Sequence, residues 1–248
     1  MFCFDSGRPI CKINGGKDNG KTVFYTEKES KENFEDFEIA DEGKFEPLAN
    51  FKSERDILYI AGPSGSGKSF FTRMYLLNYH KQFPDRPILM ISKLSEDKSL
   101  DGVPMKRVMI DERLITDPFD SSDFYDSCVI MDDIDTIKDK EIRAALMTLK
   151  DKILETGRHH NISLILTTHL ACRGNETRSS LNEAHQIVFF MSSGANYKYL
   201  LQNYLGMDLN QIKALNKMKS RWICICRGFP QIIYTEKQLL FMKNLIKD

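Results

Sequence analysis

The sequence predicts an α/β domain whose central sheet is mostly parallel and flanked by helices. From residue 57 onward, short apolar runs alternate with segments of helical periodicity, the pattern of strands and helices in turn. Two of these runs end in carboxylate or hydroxyl side chains, as buried parallel strands do where they form a ligand site. Another run leads directly into a glycine-rich turn and a helix start.

Six apolar runs predict the strands of this sheet: Ile57–Ala61, Ile88–Ser92, Arg107–Ile110, Cys128–Asp132, Ser163–Thr167 and Ile187–Met191. Helical periodicity predicts helices over Ser69–Lys81, Lys138–Thr156 and Asn196–Leu205. We expect Gly157 to end the second helix in a left-handed conformation. The tail is expected to form a C-terminal β-hairpin, Trp222–Cys226 with Ile232–Thr235, and a last helix from Glu236.

The first fifty residues differ in character from the rest. A glycine-rich turn over 15–21 separates two short apolar segments, Ile10–Ile13 and Thr22–Tyr25, which indicates a short hairpin. The stretch Glu27–Glu46 is crowded with charge and shows little apolar periodicity. We therefore predict a loosely packed N-terminal arm over 1–50, ordered against a neighbouring subunit, and a P-loop domain over 51–248.

Composition narrows the class of protein. The 248 residues carry 35 basic and 35 acidic side chains, so the average field offers a nucleic acid no attraction, although a local basic stripe would suffice. The six cysteines do not form a disulfide framework, and Cys128 and Cys224 lie in apolar runs typical of a core. No apolar run approaches membrane-spanning length, and no signal peptide begins the chain. A reducing, intracellular location is expected.

Residues 62–69 read Gly-Pro-Ser-Gly-Ser-Gly-Lys-Ser, the pattern of a phosphate-binding P-loop. Its glycines allow backbone N–H groups to approach phosphate oxygens, and the helix that follows adds its positive N-terminal end. Lys68 is expected to reach the β- and γ-phosphates, and the Ser69 hydroxyl to ligate Mg²⁺. The residues predicted to bind the nucleotide are Gly62, Pro63, Ser64, Gly65, Ser66, Gly67, Lys68, Ser69 and Phe70.

The apolar run Cys128–Asp132 ends in a pair of carboxylates, Asp132 and Asp133. Asp132 is predicted to hold Mg²⁺, directly or through water. Asp133 is predicted to polarise the water that attacks the γ-phosphate, the role of a second acid in hydrolysing enzymes. The alternative is that Asp133 only caps the next turn, in which case Asp135 is the candidate for the catalytic acid.

Two further elements complete the predicted site. The strand that ends in Thr167, Thr168 and His169 places Thr168 or His169 where the γ-phosphate is sensed. Arg158 follows the helix over 138–156 and is the candidate for stabilising charge on the transferred phosphoryl group, often across a subunit interface. Arg143 and Arg173 are the rival arginines.

These motifs together resemble the FtsK–HerA superfamily of ring ATPases, and within it the genome-packaging ATPases of large DNA viruses and virophages. The resemblance covers about residues 55–235. It rests on four stretches in this order: Gly62–Ser69, Cys128–Asp133, Leu154–His159 and Leu164–His169.

The resemblance implies a RecA-like ATPase that uses ATP and Mg²⁺ and forms a homo-oligomeric ring, a pentamer or hexamer. Its partners would be double-stranded DNA, driven into a preformed capsid, and capsid or vertex proteins. It further implies that Arg158 matches the arginine finger and that His169 stands where many members have glutamine. The protein would then act in the host-cell cytoplasm or viral factory, or within the virion.

The contacts with DNA would come from two basic loops, Leu170–Ser180 with Arg173 and Arg178, and Lys213–Arg221.

Two other classes of protein would use the same phosphate-binding residues. A cellular RecA-like helicase or recombinase needs the same site and would carry accessory domains. A P-loop nucleotide kinase would need an arginine-rich lid and an acceptor pocket, and the sequence shows no such lid.

Overall fold

The computed structural model describes residues 1–28, 32–53, 55–191 and 196–246. The first fifty residues contribute five short strands: β1 (Phe2–Cys3), β2 (Arg8–Asn14), β3 (Thr22–Tyr25), β4 (Asp36–Glu38) and β5 (Lys44–Pro47). Four of them pair in the antiparallel order β1-β3-β2-β5. The predicted hairpin is therefore present as β2 and β3, within a larger sheet.

This small sheet is well packed, in contrast to the loosely packed arm predicted from its charge. Phe2, Ile13 and Phe45 are at most 1% exposed. The ring of Phe2 stacks on that of Phe241 at a centroid distance of 4.3 Å. The charged residues face outward and alternate with inward apolar residues, as in β5, and a count of charge does not detect this alternation. The division at residue 50 stays a prediction.

The main sheet has ten strands in the order β4-β14-β13-β12-β11-β6-β10-β9-β7-β8. Six of them, from β11 to β8, run parallel, and the other neighbours pair antiparallel. The strands beyond the small sheet are β6 (Ile57–Ala61), β7 (Ile88–Ser92), β8 (Met105–Met109), β9 (Cys128–Asp132), β10 (Ser163–Thr168), β11 (Gln186–Phe190), β12 (Trp222–Cys226), β13 (Ile232–Tyr234) and β14 (Gln238–Phe241).

Helices cover both faces of the main sheet. They are α1 (Lys68–Gln82), α2 (Arg113–Thr116), α3 (Lys140–Thr156), α4 (Asn175–Glu183), α5 (Asn196–Leu205) and α6 (Leu209–Lys217). The small sheet and α1 share one hydrophobic core with one face, and α3 to α6 share a second core with the other. The predicted fold class, a mostly parallel sheet flanked by helices with a C-terminal β-hairpin, is confirmed.

Three local predictions are wrong. Gly157 is right-handed, with φ −59°, because the chain continues into a 3-10 turn and Asn161 takes the left-handed conformation at φ 54°. The segment after Glu236 is strand β14, whose alternate residues Leu239 and Phe241 point inward. The predicted loop over Leu170–Ser180 contains most of helix α4. Across the described ranges, no helix combines the length and apolarity needed to cross a bilayer.

We expect Phe45→Ala to lower the free energy of unfolding by about 3–5 kcal/mol, because it removes a buried ring and leaves a cavity. Phe229→Ala is the matched control, since the Phe229 side chain is 91% exposed. Urea denaturation measures both changes. Equal stability of the two variants would contradict the observed packing of the N-terminal sheet.

Candidate functional site

The position of β10 brings the predicted motifs together. It pairs in parallel with β6 on one side and with β9 on the other, so that Thr167 lies opposite Ile60 and Asp132. The carboxyl ends of all three strands therefore meet at one edge of the sheet. The P-loop follows β6, and the acidic pair ends β9. The two motifs are separated by one strand, or about 10 Å between strand axes.

The P-loop backbone requires glycine at two positions for different reasons. Gly67 precedes α1 with φ 113°, which a residue with a Cβ adopts only under strain. At Gly62 a Cβ would lie 2.6 Å from the Ser66 hydroxyl and 2.9 Å from the ring of Phe190. The first N–H groups of α1 have no acceptor within the helix, so they are available to an anion.

Lys68 lies within this turn and is 8% exposed. Its ammonium group donates to the Gly62 carbonyl at 2.8 Å and lies 3.8 Å from a carboxylate oxygen of Asp133. The charge of the P-loop lysine is thus balanced by the acidic strand. Of the other predicted ligands, Ser69 is half-buried, Ser64 is exposed, and Phe70 is 56% exposed.

Asp132 is held by two hydroxyl groups that the sequence analysis did not assign to the site. Thr167 donates to one carboxylate oxygen at 2.6 Å, and Ser92 donates to the other at 3.0 Å. Thr167 also accepts the backbone N–H of Asp133 at 3.1 Å. Both hydroxyls belong to the last residue of a predicted strand, Ile88–Ser92 or Ser163–Thr167, and that position is the signal that could have identified them.

Asp133 is in the left-handed region, with φ 45°, and its carboxylate lies 2.9 Å from His169 Nε2. Burial raises the pKa of this carboxyl above its usual range, and Asp132 and Asp135 add to the rise, while Lys68 and His169 oppose it. A strained, partly buried carboxylate between a lysine and a histidine is typical of a functional site. Asp133 and His169, to which the sequence analysis assigned separate roles, therefore lie within hydrogen-bond distance of each other.

Asp135 links this edge to helix α4. Thr168 donates to its carboxylate at 3.3 Å, and Arg173 donates to its backbone carbonyl at 2.8 Å. Arg173 also lies 3.4 Å from Glu176, which pairs with Arg143. The two rival arginines therefore form part of one ion-pair network around Asp135 and Glu176.

Arg158 lies at the opposite edge of the sheet. It belongs to the 3-10 turn Gly157–His160, which precedes β10, whereas the P-loop and the acids follow their strands. The rise along Ser163–Thr168 is about 17 Å, far more than an arginine side chain spans. Arg158 is exposed, and the structure does not bring it to the P-loop of its own chain.

The arrangement fits a magnesium nucleotide. No group of three or more His, Cys, Asp or Glu side chains within the described part of the chain could hold a metal ion by itself. Mg²⁺ in nucleotide sites takes one or two protein oxygens and completes its shell with phosphate and water. Asp132 and Ser69 supply oxygens of that kind. The Ser66 hydroxyl is buried without a hydrogen-bond partner, as expected of a hydroxyl group that binds a phosphate oxygen.

Comparison with known proteins gives one relative that covers almost the whole chain. The sequence is 41% identical to "Uncharacterized protein V3" of the Sputnik virophage over 233 residues, which are 92% of this chain and 93% of that protein. The chain belongs to the family of this virophage protein. A model described as Complex1_LYR-like also matches residues 133–224, less than half of the chain, and does not decide the family.

Solved structures confirm the fold. The genome-packaging NTPase B204 of Sulfolobus turreted icosahedral virus 2, in complex with AMPPCP, matches with a TM-score of 0.52 and 15% identity, over 74% of this chain and 99% of that chain. The pCW3 conjugation coupling protein TcpA with ATPγS matches with a TM-score of 0.51 and 14% identity, over 94% and 77% of the two chains. The α/β fold predicted from the sequence is therefore shared with a viral genome-packaging NTPase and a conjugation coupling protein.

We expect Thr167→Val to lower the free energy of unfolding by about 1–3 kcal/mol, because Asp132 loses a donor and the Asp133 N–H loses an acceptor. Thr167→Ser is the matched control that keeps the hydroxyl. Urea denaturation compares the two variants. If Thr167→Val were no less stable than Thr167→Ser, the hydroxyl would not hold the acidic pair.

We expect Asp133→Asn to stabilise the fold at neutral pH. Because the folded-state pKa of Asp133 is raised above that of an ordinary aspartate, the unfolded chain loses this proton first, and stability falls as pH rises through the folded-state pKa. The neutral amide avoids that loss. Denaturation as a function of pH should show the advantage at pH 7 and its decline on acidification. A destabilised variant at pH 7 would contradict the predicted sign.

Proposed function

We propose that this chain hydrolyses ATP with Mg²⁺ and moves double-stranded DNA as a homo-oligomeric ring that packages a genome into a preformed capsid. One observation carries the proposal: the P-loop lysine and the acidic pair lie together at one sheet edge, while the exposed Arg158 lies at the other. If Arg158 is the arginine that completes the site, it can do so only for the nucleotide bound to another copy of the chain. The virophage relative and the packaging NTPases of the same fold support the viral setting.

In the proposed mechanism, N–H groups of the P-loop bind the phosphates, and Lys68 exchanges the Gly62 carbonyl for a phosphate oxygen. Mg²⁺ would neutralise charge on the phosphates, held by Asp132 and Ser69. Asp133 orients the attacking water and accepts its proton, a role that its raised pKa suits. The imidazole of His169, 2.9 Å from Asp133, would report the state of the γ-phosphate.

Arg158 would act on the nucleotide of the neighbouring subunit. Its guanidinium stabilises the charge that spreads over the transferred phosphoryl group. Since the sheet separates Arg158 from its own P-loop, each subunit would supply an arginine to one neighbour and receive one from the other. This head-to-tail contact closes into a ring when the rotation between copies allows it.

The contacts with DNA would come from exposed basic residues near α4 and α6. Arg178 on α4 is exposed, as are Lys213, Lys217, Lys219 and Arg221 around the end of α6. Arg173, in contrast, is paired with Asp135 and Glu176. Arg178 and the α6 cluster are therefore the stronger candidates for phosphate contacts.

The proposal predicts that Lys68→Ala and Arg158→Ala each lower DNA-stimulated ATP turnover by about 1,000-fold or more. Mixing the two inactive proteins should restore part of the activity. A Lys68→Ala subunit keeps Arg158 and serves the intact nucleotide site of its Arg158→Ala neighbour. Turnover per subunit in the wild-type protein should also rise with protein concentration, because the site is complete only in the assembly.

Arg86→Ala is the matched control. Arg86 precedes β7 at the same edge as Arg158, and its guanidinium lies over the Phe83 ring. We expect near wild-type turnover from this variant. If ATP turnover changed with neither DNA nor protein concentration, a DNA-coupled ring would be contradicted. Transfer of phosphate to a small molecule would then be the function to test.

A further inference from the structure

Arg158 lines a cleft of about 900 Å³ at the amino edge of the main sheet, and a second arginine, Arg55, lines the same cleft. The two differ in exposure. Arg158 is exposed, whereas Arg55 is 8% exposed. A buried guanidinium needs hydrogen-bond acceptors to offset the loss of water, so its partners indicate what it holds in place.

The partners of Arg55 are the last carbonyl groups of helix α3. Its Nη1 donates to the carbonyl of Ile153 at 2.9 Å, and its Nη2 donates to that of Leu154 at 2.9 Å. The last carbonyls of a helix lack donors from a following helical turn, and a planar fork is well suited to binding two of them. The Ile153 carbonyl also accepts the Gly157 N–H, and Arg55 occupies its second acceptor position. Arg55 therefore fixes the point at which α3 ends and the turn with Arg158 begins.

Gly157, the residue between that helix and Arg158, leaves room for the Arg55 guanidinium because it has no side chain. A Cβ at this position would lie 3.1 Å from Arg55 Nη1 and 3.3 Å from Ile162 Cβ. Because φ is −59°, the backbone does not require glycine, and the need is one of space. The guanidinium thus packs directly against the peptide that carries Arg158.

The far side of the turn is held independently. The Asp126 N–H donates to the His160 carbonyl at 2.9 Å, and the Asn161 amide donates to the Asp126 carboxylate at 2.8 Å. The turn is therefore clamped between Asp126 on one side and Arg55 on the other. Such clamping limits the directions available to the Arg158 side chain.

Charge adds to this effect. Glu183 lies 4.0 Å from Arg55, and its negative charge favours the charged guanidinium. Arg158, in contrast, repels Arg55, since both guanidiniums carry positive charge and both line the cleft. This repulsion favours an Arg158 side chain that extends away from Arg55.

We propose that Arg55 is the positioning residue for Arg158: it caps α3, packs against Gly157 and directs the arginine that each subunit presents to its neighbour. The inference rests on the function proposed above. Arg55 touches no reacting group, and its effect on turnover passes entirely through Arg158 in the adjacent site.

The test uses Arg55→Lys in the full chain. Lysine keeps the charge, but its single ammonium cannot reproduce the planar fork. We expect turnover at saturating ATP to fall about tenfold or more with KM within about twofold of wild type, since the arginine acts in the transition state rather than in ATP binding. Gly157→Ala, which crowds Arg55, is the second variant and should show the same pattern. Unchanged affinity for an ATP analogue shows that each variant has folded.

Two further readouts separate positioning from a general structural role. First, Lys68→Ala subunits, which carry intact Arg55 and Arg158, should rescue Arg55→Lys subunits. Second, Arg55→Lys should add less than about a twofold loss in the Arg158→Ala background, because both changes remove one function. Arg227→Lys is the matched control: Arg227 donates to carbonyls at the end of α4 and should leave turnover near wild type.

The inference is overturned if Lys68→Ala subunits rescue Arg158→Ala but not Arg55→Lys, or if the losses from Arg55→Lys and Arg158→Ala multiply. Wild-type turnover by Arg55→Lys would also overturn it. Failure of Lys68→Ala to rescue Arg158→Ala would instead contradict the shared site of the proposed function, and with it the role of Arg55.

Discussion

The site depends on the parallel pairing of β10 with both β6 and β9. Parallel strands end at a common edge, and this pairing sets Thr167 opposite Asp132 on one side and Ile60 on the other. A shift of one residue in either register would turn Thr167 to the other face of the sheet. The acidic pair would then lose the hydroxyl that binds the Asp132 carboxylate and the Asp133 N–H.

At the carboxyl ends of these parallel strands, several residues have properties that disfavour folding but are useful for catalysis. Asp133 is left-handed, partly buried and close to two other carboxylates, and Lys68 is 8% exposed. Each of these properties lowers the stability of the fold by itself. The attraction between Lys68 and Asp133, which lie 3.8 Å apart, offsets part of that loss. Two large hydrophobic cores, one on each face of the sheet, supply the stability that such a site requires.

Much of the main sheet could be predicted from the sequence. The runs Ile57–Ala61, Cys128–Asp132 and Trp222–Cys226 match observed strands, because buried strands leave continuous apolar runs. In the N-terminal sheet the hairpin was predicted, but strand β5 was missed because it is short and alternates apolar with charged residues, which conceals its inward side chains. Helix α4 was missed because it is polar and held to α3 by side chains such as Lys150, not by an apolar stripe.

The same limits apply to the site. Lys68 and Asp132 belong to contiguous motifs, and local sequence is enough to find them. Thr167, Ser92 and Arg55 act through partners 35 to 99 positions away along the chain, and only the folded chain brings those partners together. The separation of Arg158 from the P-loop likewise follows from the direction of β10, which spacing along the sequence does not reveal.

In the proposed assembly, a second copy of this chain completes the nucleotide site. The most direct measurement is a cryo-electron microscopy structure of the assembled protein with Mg²⁺ and a non-hydrolysable ATP analogue. We expect a closed ring in which Arg158 of one subunit lies within hydrogen-bond distance of the γ-phosphate bound at Lys68 of the next. A ring whose subunits meet elsewhere, with Arg158 facing solvent in every copy, would contradict it.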